Sequence, residues 1–481
     1  MMLRQTLLYL PAQLLGPLAM FVAAVVWTHL LDAETYGVVS YVLAAQELVY
    51  MATIAWWSLF ALRFRAAMDA DRRRRLAEAD NAVVLGGAIL QTIGAVPVLM
   101  TLDTTPTGAF FLASAVLFTT RSLLTHYSEI ARTEAAILTY TIAQLAGPLF
   151  GTLASFVGVI TFGASPTAAI AGIAAVQTLG LALVMIRLGV KPKVVLPRRD
   201  LIGEALLYGM PMLATGMLAW VATNVIRLIV DHMAGAAALG LLSVGWGLGQ
   251  RVSTVAAMLL TAAAFPIAVR LYESGDENGA MKQLSDNGSM LFALLAPTTA
   301  GVAMVSEPLV DLMIAEPFRA ATVAILPLAV LAASIRNQRV HHVDQVFLLH
   351  AAPARLLPLF AIEALGCIAG SILGLTWGGT GVSGLVAAVL GCVVGTLVAA
   401  MVTLGVAMRE YRLRPQWSRW ARILAATGTM CAVLAAIPWG DGWLALAGEI
   451  VVGVIVYGGA LAVLFSSERS FLITKLRRRT G

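Results

Sequence analysis

Charge is what this chain has least of. Only 12% of its 481 residues are charged while 59% are hydrophobic, a composition that leaves no room for a sizeable water-soluble domain. Its three cysteines, Cys367, Cys392 and Cys431, all lie in apolar runs. They read as small hydrophobes rather than as a disulfide framework or a metal centre. No Walker loop, no Gly-x-Ser-x-Gly elbow and no zinc-ligand spacing occurs, so neither a nucleotide-driven step nor hydrolase chemistry has its residues here. No cofactor and no metal are expected, and the chain is read as a non-enzyme. Lysine is nearly missing as well: Lys191, Lys193, Lys282 and Lys475 are the whole complement among 32 basic residues.

Long apolar runs are what it has instead. A hydrocarbon core about 30 Å thick needs about 18 to 20 apolar residues per helical crossing. Fourteen such runs occur, at 7–31, 37–62, 81–100, 108–130, 136–162, 167–186, 201–230, 239–269, 288–314, 320–349, 356–377, 381–407, 423–439 and 443–465. The predicted fold is therefore an all-α polytopic membrane protein of about fourteen transmembrane helices. The first run continues into His29, Asp32 and Glu34 without a small-residue cleavage site, so it is read as a retained span rather than a signal peptide.

The gaps between the runs set direction. With both termini cytoplasmic, 26 of the 32 basic residues fall in inner gaps and only Arg319 in an outer one, the asymmetry that orients membrane proteins. The net charge of +6 then needs only anionic lipid as a partner, and no nucleic acid. Arg72-Arg73-Arg74-Arg75 belongs to that inner-face charge. Trp56-Trp57, at the inner end of the second run, reads as an interfacial aromatic belt.

Five arginines remain inside the runs: Arg121, Arg227, Arg251, Arg336 and Arg339. Each costs about 2.5 to 3.5 kcal/mol against lipid at a helix centre, so they are expected to face a polar cavity or a partner. Arg251, beside Gln250, and Arg121 lie nearest mid-span and are the leading cavity candidates, followed by Arg336 and Arg339. Arg227 and Asp231, four apart on one helix face, are expected to neutralise each other. The segment from Arg336 to Asp344, with His341 and His342, is the most polar of any run and reads as cavity lining, a broken helix or a cytoplasmic loop. Asp344 and Glu363 are candidates for ion coupling, since intramembrane carboxylates serve as proton relays. Prolines inside runs, Pro148, Pro297 and Pro327 among them, are expected to loosen helix hydrogen bonding.

The chain also repeats itself. Leu7-Leu8-Tyr9 with Pro11 is echoed by Leu206-Leu207-Tyr208 with Pro211; Leu30-Leu31-Asp32 by Ile229-Val230-Asp231; and Tyr36-Gly37-Val38-Val39-Ser40 by Leu239-Gly240-Leu241-Leu242-Ser243. Six crossings separate the copies, so the repeat is parallel, a common plan for secondary transporters with the site between the halves. The expected division is an N-lobe over 1–190, a basic linker over 191–200, a C-lobe over 201–407, and a terminal hairpin with a basic tail over 408–481.

With Leu15-Gly16-Pro17, the turn Leu31-Asp32-Ala33-Glu34-Thr35-Tyr36-Gly37, and Gly249-Gln250-Arg251-Val252 followed by Phe265-Pro266 and Arg270, the chain resembles the oligosaccharide flippases of the multidrug/oligosaccharidyl-lipid/polysaccharide exporter superfamily. The resemblance covers nearly the whole chain. It implies a bacterial inner-membrane protein that moves polyprenyl-pyrophosphate-linked oligosaccharides outward for lipopolysaccharide or exopolysaccharide synthesis. It further implies membrane lipids as partners, with a polysaccharide polymerase and assembly proteins as possible ones. Arginine suits such a cargo because its planar guanidinium clamps a pyrophosphate with two hydrogen bonds. The alternatives are a multidrug or small-molecule exporter, whose cavity should be acidic, and a polytopic glycan polymerase or ligase, which should carry a large outer loop that this chain lacks.

Overall fold

The computed structural model describes residues 2–65, 70–102, 107–190 and 195–465. Residues 191–194 of the linker, and the basic tail from 466, lie outside the described residues, so those expectations are not addressed by it. Helix α1 spans Met2–Leu30, α2 Ala33–Tyr50, α3 Trp56–Phe64, α4 Ala70–Met100, α5 Gly108–Thr133, α6 Ile137–Leu145, α7 Thr152–Phe162 and α8 Pro166–Arg187. Helix α9 covers Arg199–Glu273, followed by α10 Glu277–Met313, α11 Glu316–Gln338, α12 Asp344–Leu349, α13 Leu356–Gly378, α14 Val382–Glu410, α15 Trp417–Ala436 and α16 Trp443–Leu464.

Single π turns join α2 to α3 (Met51–Ala55), α6 to α7 (Ala146–Gly151) and α11 to α12 (Arg339–Val343). Each such pair is one continuous rod. Helix α9 is two rods, broken at Gly235, whose φ of 84° a side chain would resist. Counted this way, the described residues form fourteen rods, one for each predicted run. Among the described residues, eleven helices are long and apolar enough to cross a membrane, which makes this a multi-pass membrane protein. Pro148 sits within the second π turn, where its missing N–H removes an ordinary helical bond and the turn widens around it.

The helices begin where short polar side chains cap them. Asp32 accepts from the Thr35 amide at 2.8 Å, Ser165 from Ala168 at 3.2 Å ahead of Pro166, and Asp276 from Gly279 at 2.8 Å. Large apolar side chains such as Leu444, Phe162 and Leu207 lie exposed. In water that would be unfavourable, but here they meet hydrocarbon as apolar as themselves.

Two compact units divide the chain: Met1–Gly247 with Leu356–Gly395, and Leu248–Arg355 with Thr396–Gly481. Within the first, the copies of the repeat meet. Ser40 donates to Ser243 at 2.8 Å, 203 residues apart. A Cβ on Gly37 would fall 1.9 Å from the Ala236 carbonyl oxygen, and one on Gly240 1.8 Å from that of Ala33. Ala33 and Ala236, Gly37 and Gly240, and Ser40 and Ser243 are equivalent positions at one offset of 203 residues, so the contact is reciprocal, as self-complementary two-fold contacts are. Close approach of the two backbones requires glycine at both places.

In the same unit α13 and α14 cross on a glycine stripe. Gly366 faces Gly395, Gly370 faces Gly391, Gly374 faces Ala388 and Gly378 faces Gly384, each so near that an added Cβ would stand 2.8 Å or less from partner backbone. Cys367 and Cys392 are fully buried beside this crossing, with the Ser371 hydroxyl 3.3 Å from the Cys392 thiol. They pack as small side chains, as their setting in the sequence suggested.

Candidate functional site

In the second unit the polar residues of α9, α10, α11 and α14 converge. Gln250 follows the Gly249 contact with α11, and its Oε1 lies 3.4 Å from Arg336 Nη1, while Arg336 Nη2 lies 3.5 Å from Thr396 Oγ1. At such lengths the guanidinium is steered by its neighbours rather than clamped. One turn deeper, Asn337 donates to Ser253 at 2.9 Å, Ser253 pairs with Ser334 at 3.1 Å, and Thr299 donates to Ser334 at 2.8 Å. Two residues singled out in the sequence, Gln250 and Arg336, thus come together. Arg251, next on the same helix, is half-buried.

The segment from Arg336 to Asp344 is helical throughout, with its π turn at Arg339–Val343. That removes the loop alternative. Arg339 Nε stands 3.5 Å from Asp344 Oδ2, and both side chains are buried, at 1% and 5% exposure. A buried charge survives only beside a partner, and these two supply each other's. His342, fully buried, places its ring against Gly288 and edge-on to Trp420 at 6.1 Å, and Gln338 donates to the Gly288 carbonyl at 2.9 Å.

Beside this turn runs an apolar groove of about 630 Å³ between α10, α11, α14 and α15, with Phe292, Leu331, Leu404 and Trp417 along its length and Gln338 and Arg339 in its wall. Helix α15 is held in place as one side of it. Asp286 accepts from Gln416 at 2.6 Å and Arg419 at 2.7 Å, Trp420 donates to Ser289 at 3.2 Å, and its indole stacks on Phe292 with centroids 4.6 Å apart.

The first unit holds the other sequence candidates. Arg121 lies midway along α5, and the Glu47 carboxylate is the charge that faces it. Beside it Gln46 donates to Ser122 at 2.9 Å. Arg227 donates to Asn224, one turn earlier on α9, so an amide joins the surroundings predicted for it, and Asp231 is buried nearby on the same helix. Glu363 on α13 is wholly buried.

A cluster absent from the sequence reading lies in this unit too. Trp57 donates to Asp80 Oδ1 at 2.7 Å; His126 Nε2 lies 3.0 and 3.1 Å from the two Asp80 oxygens; and His126 Nδ1 lies 2.8 Å from the Ser58 hydroxyl. Trp57 is therefore no interfacial belt residue: its ring is wholly buried and packs with Phe60, Leu76 and Ala205. The missed signal was His126, a histidine within an apolar run. Asp80 escaped because the third run, read by hydropathy, starts one residue after it.

The model of a family described as polysaccharide biosynthesis protein matches residues 82–323, half of the chain. Among solved structures, the fold is similar to that of lipid II flippase MurJ in an inward closed conformation, with a TM-score of 0.70 at 12% identity over 96% of this chain and 99% of that one. It is also similar to a multidrug resistance MATE family transporter of the MOP superfamily in an inward-facing conformation, with a TM-score of 0.60 at 14% identity over 82% and 95% of the two chains. At such identities the likeness is one of fold. No curated protein matches the chain in sequence.

Proposed function

The chain belongs to the polysaccharide biosynthesis protein family, and from that premise we propose that it is a flippase for polyprenyl-pyrophosphate-linked oligosaccharides. It works in the bacterial inner membrane, with both termini cytoplasmic, and carries repeat units to the outer leaflet for lipopolysaccharide or exopolysaccharide assembly. The observation that supports this best is the groove in the second unit. An apolar channel with the Gln338 amide and the Asp344-paired Arg339 guanidinium in its wall, and no acidic residue among its described lining residues, suits an amphipathic anion better than the cationic drug a multidrug exporter would take. The polyprenyl chain lies in the groove, which α15 shapes with α10, α11 and α14. Arg336, Arg251 and Gln250 take the pyrophosphate and the first sugars.

Transport needs no covalent step. The two repeats rock against each other, and the membrane potential, negative inside, favours outward movement of an anion by about 2.3 kcal/mol per charge per 100 mV. A pyrophosphate with two charges doubles that.

Deleting the protein is expected to leave lipid-linked repeat units accumulating in cell extracts. Normal glycans together with raised drug sensitivity would instead mark an exporter of small molecules. The groove makes a finer test. In Ala300→Trp an indole fills part of it, so flipping of a long-chain polyprenyl substrate should fall roughly tenfold, about 1.4 kcal/mol of lost binding. A short-chain analogue carrying the same sugars should be little affected. Equal losses for both analogues would place the lipid elsewhere.

A further inference from the structure

We infer that Asp80 and His126 form a proton-binding site that loads and releases one proton in each transport cycle. The inference rests on the flippase reading and adds an ion to it, at a place distinct from Asp344 and Glu363.

The geometry is that of a relay. Trp57 and His126 Nε2–H both donate to the Asp80 carboxylate, and His126 Nδ1 faces Ser58 at 2.8 Å. Ser58 has a second neighbour, the Ile54 carbonyl at 3.4 Å, which lies in the π turn Met51–Ala55. With Nδ1 unprotonated, the Ser58 hydroxyl donates to the ring. When a proton from hydronium bonds to Nδ1, the ring becomes the donor, and Ser58 turns its own hydrogen away from the ring, to the Ile54 carbonyl or the Tyr50 phenol. The imidazolium charge is then balanced by the carboxylate against it, while Nε2–H keeps its bond.

Access and consequence are both at hand. A polar cavity of about 580 Å³ reaches Asp80 itself and is lined also by Asn81, Tyr127, Arg65, Arg74 and Glu134. It is wide and polar enough to hold water, so Asp80 lies within reach of exchangeable protons, and His126, which does not line it, reaches them through that carboxylate. The hydroxyl switch acts on a π turn, a place where helical bonding is already shifted. That turn belongs to the rod α2–α3, whose far end carries Gly37 and Ser40 at the contact between the repeats. Protonation at one end of this rod therefore bears on the contact at the other.

Other charges around the pair are already engaged. From the end of α3, Arg65 bonds Glu134 at 2.7 Å; on α4, Arg74 bonds Glu78 at 3.2 Å; on α5, Arg132 bonds Glu129 at 2.8 Å. Helix α2 brings the Tyr50 phenol to Ser58, α5 brings Tyr127 against the His126 ring at 5.3 Å, and α9 brings Tyr208, whose ring meets Phe64 at 5.0 Å. From α8, Leu181 and Val184 pack on this face. The Asp80 and His126 pair is thus the place where one added proton changes the hydrogen-bond order.

The test uses the full chain in vesicles with a fluorescent lipid-linked oligosaccharide. If one proton is exchanged per cycle, an imposed gradient of one pH unit should shift the steady-state ratio of substrate between leaflets about tenfold. In Asp80→Asn and His126→Gln that response should vanish while downhill flipping continues. A purely structural role would lower flipping and leave the response of the remaining activity intact, so a response retained in Asp80→Asn overturns the inference. So does a wild-type ratio indifferent to the gradient. Imidazole nitrogen shifts of His126 in the purified protein give a readout that needs no transport: a change on acidification that is altered in Asp80→Asn is expected, and a ring whose shifts never respond overturns the site. Absence of any flipping by the wild type, with His126 still titrating, would sink the flippase reading rather than the proton site.

Discussion

With Ser40→Cys and Ser243→Cys combined, oxidation should stop transport completely and reduction should restore it. The two hydroxyls are 2.8 Å apart, which brings their Cβ atoms near the separation a disulfide requires, about 3.5 to 4.5 Å. The native cysteines Cys367 and Cys392 are buried, and the partly exposed Cys431 is replaced by Ser in the background, so the engineered pair is the reactive one. If the repeats rock, their contact has to part once in each cycle, and a covalent bond across it holds the protein in one state. Each single substitution should remain active. The measurement is flipping in vesicles before and after reductant, with the bond itself followed by a mobility shift. Full transport by the oxidised protein would show that this contact never opens and that the rocking reading is wrong.

Gly370→Leu should give a large loss of stability. A Cβ alone at that position would stand 2.5 Å from the backbone of Gly391, and the reciprocal Cβ at Gly391 would stand 2.4 Å from Gly370. The obstacle is main chain, which cannot turn aside as a flexible side chain can. Helices α13 and α14 would have to separate, and the packing that drives helix association in lipid would be lost along the stripe. Overpacking usually costs about 1 to 3 kcal/mol, and this site belongs at the upper end. Thermal unfolding in detergent and the amount reaching the membrane are the measures. Gly428→Leu is the control, because nothing lies within 4 Å of its added Cβ. Similar losses from both would mean that the stripe carries no special weight.

Much of the fold was legible because a bilayer imposes a simple rule. Every backbone polar group in hydrocarbon must be satisfied within its own segment, so apolar length alone maps onto helices, and the fourteen predicted runs reappear as fourteen rods among the described residues. The repeat was legible for a related reason. Gly37 and Gly240, like Ser40 and Ser243, are matched in the sequence because they make the same contact from two sides.

Side-chain company was less legible. The Arg336 to Asp344 stretch left three readings open, since polar residues in an apolar run do not reveal whether they face one another, a cavity or water. Its resolution into a π turn with Arg339 against Asp344 depends on what the neighbouring helices present. Trp57 looked like a belt residue because its neighbours in the chain are apolar. It is buried because Asp80, 23 residues away on another helix, offers its indole N–H an acceptor.

By itself the sequence determined the membrane class, the helix number and the likeness between two parts of the chain, all properties that hydrophobic length and charge placement carry along one dimension. Only the tertiary structure decided which charges are partners, where an apolar groove opens, and that Trp57, Ser58, Asp80 and His126 meet. Hydrogen bonds and ion pairs act over about 3 Å between residues tens of positions apart, and no periodicity along the chain encodes that distance.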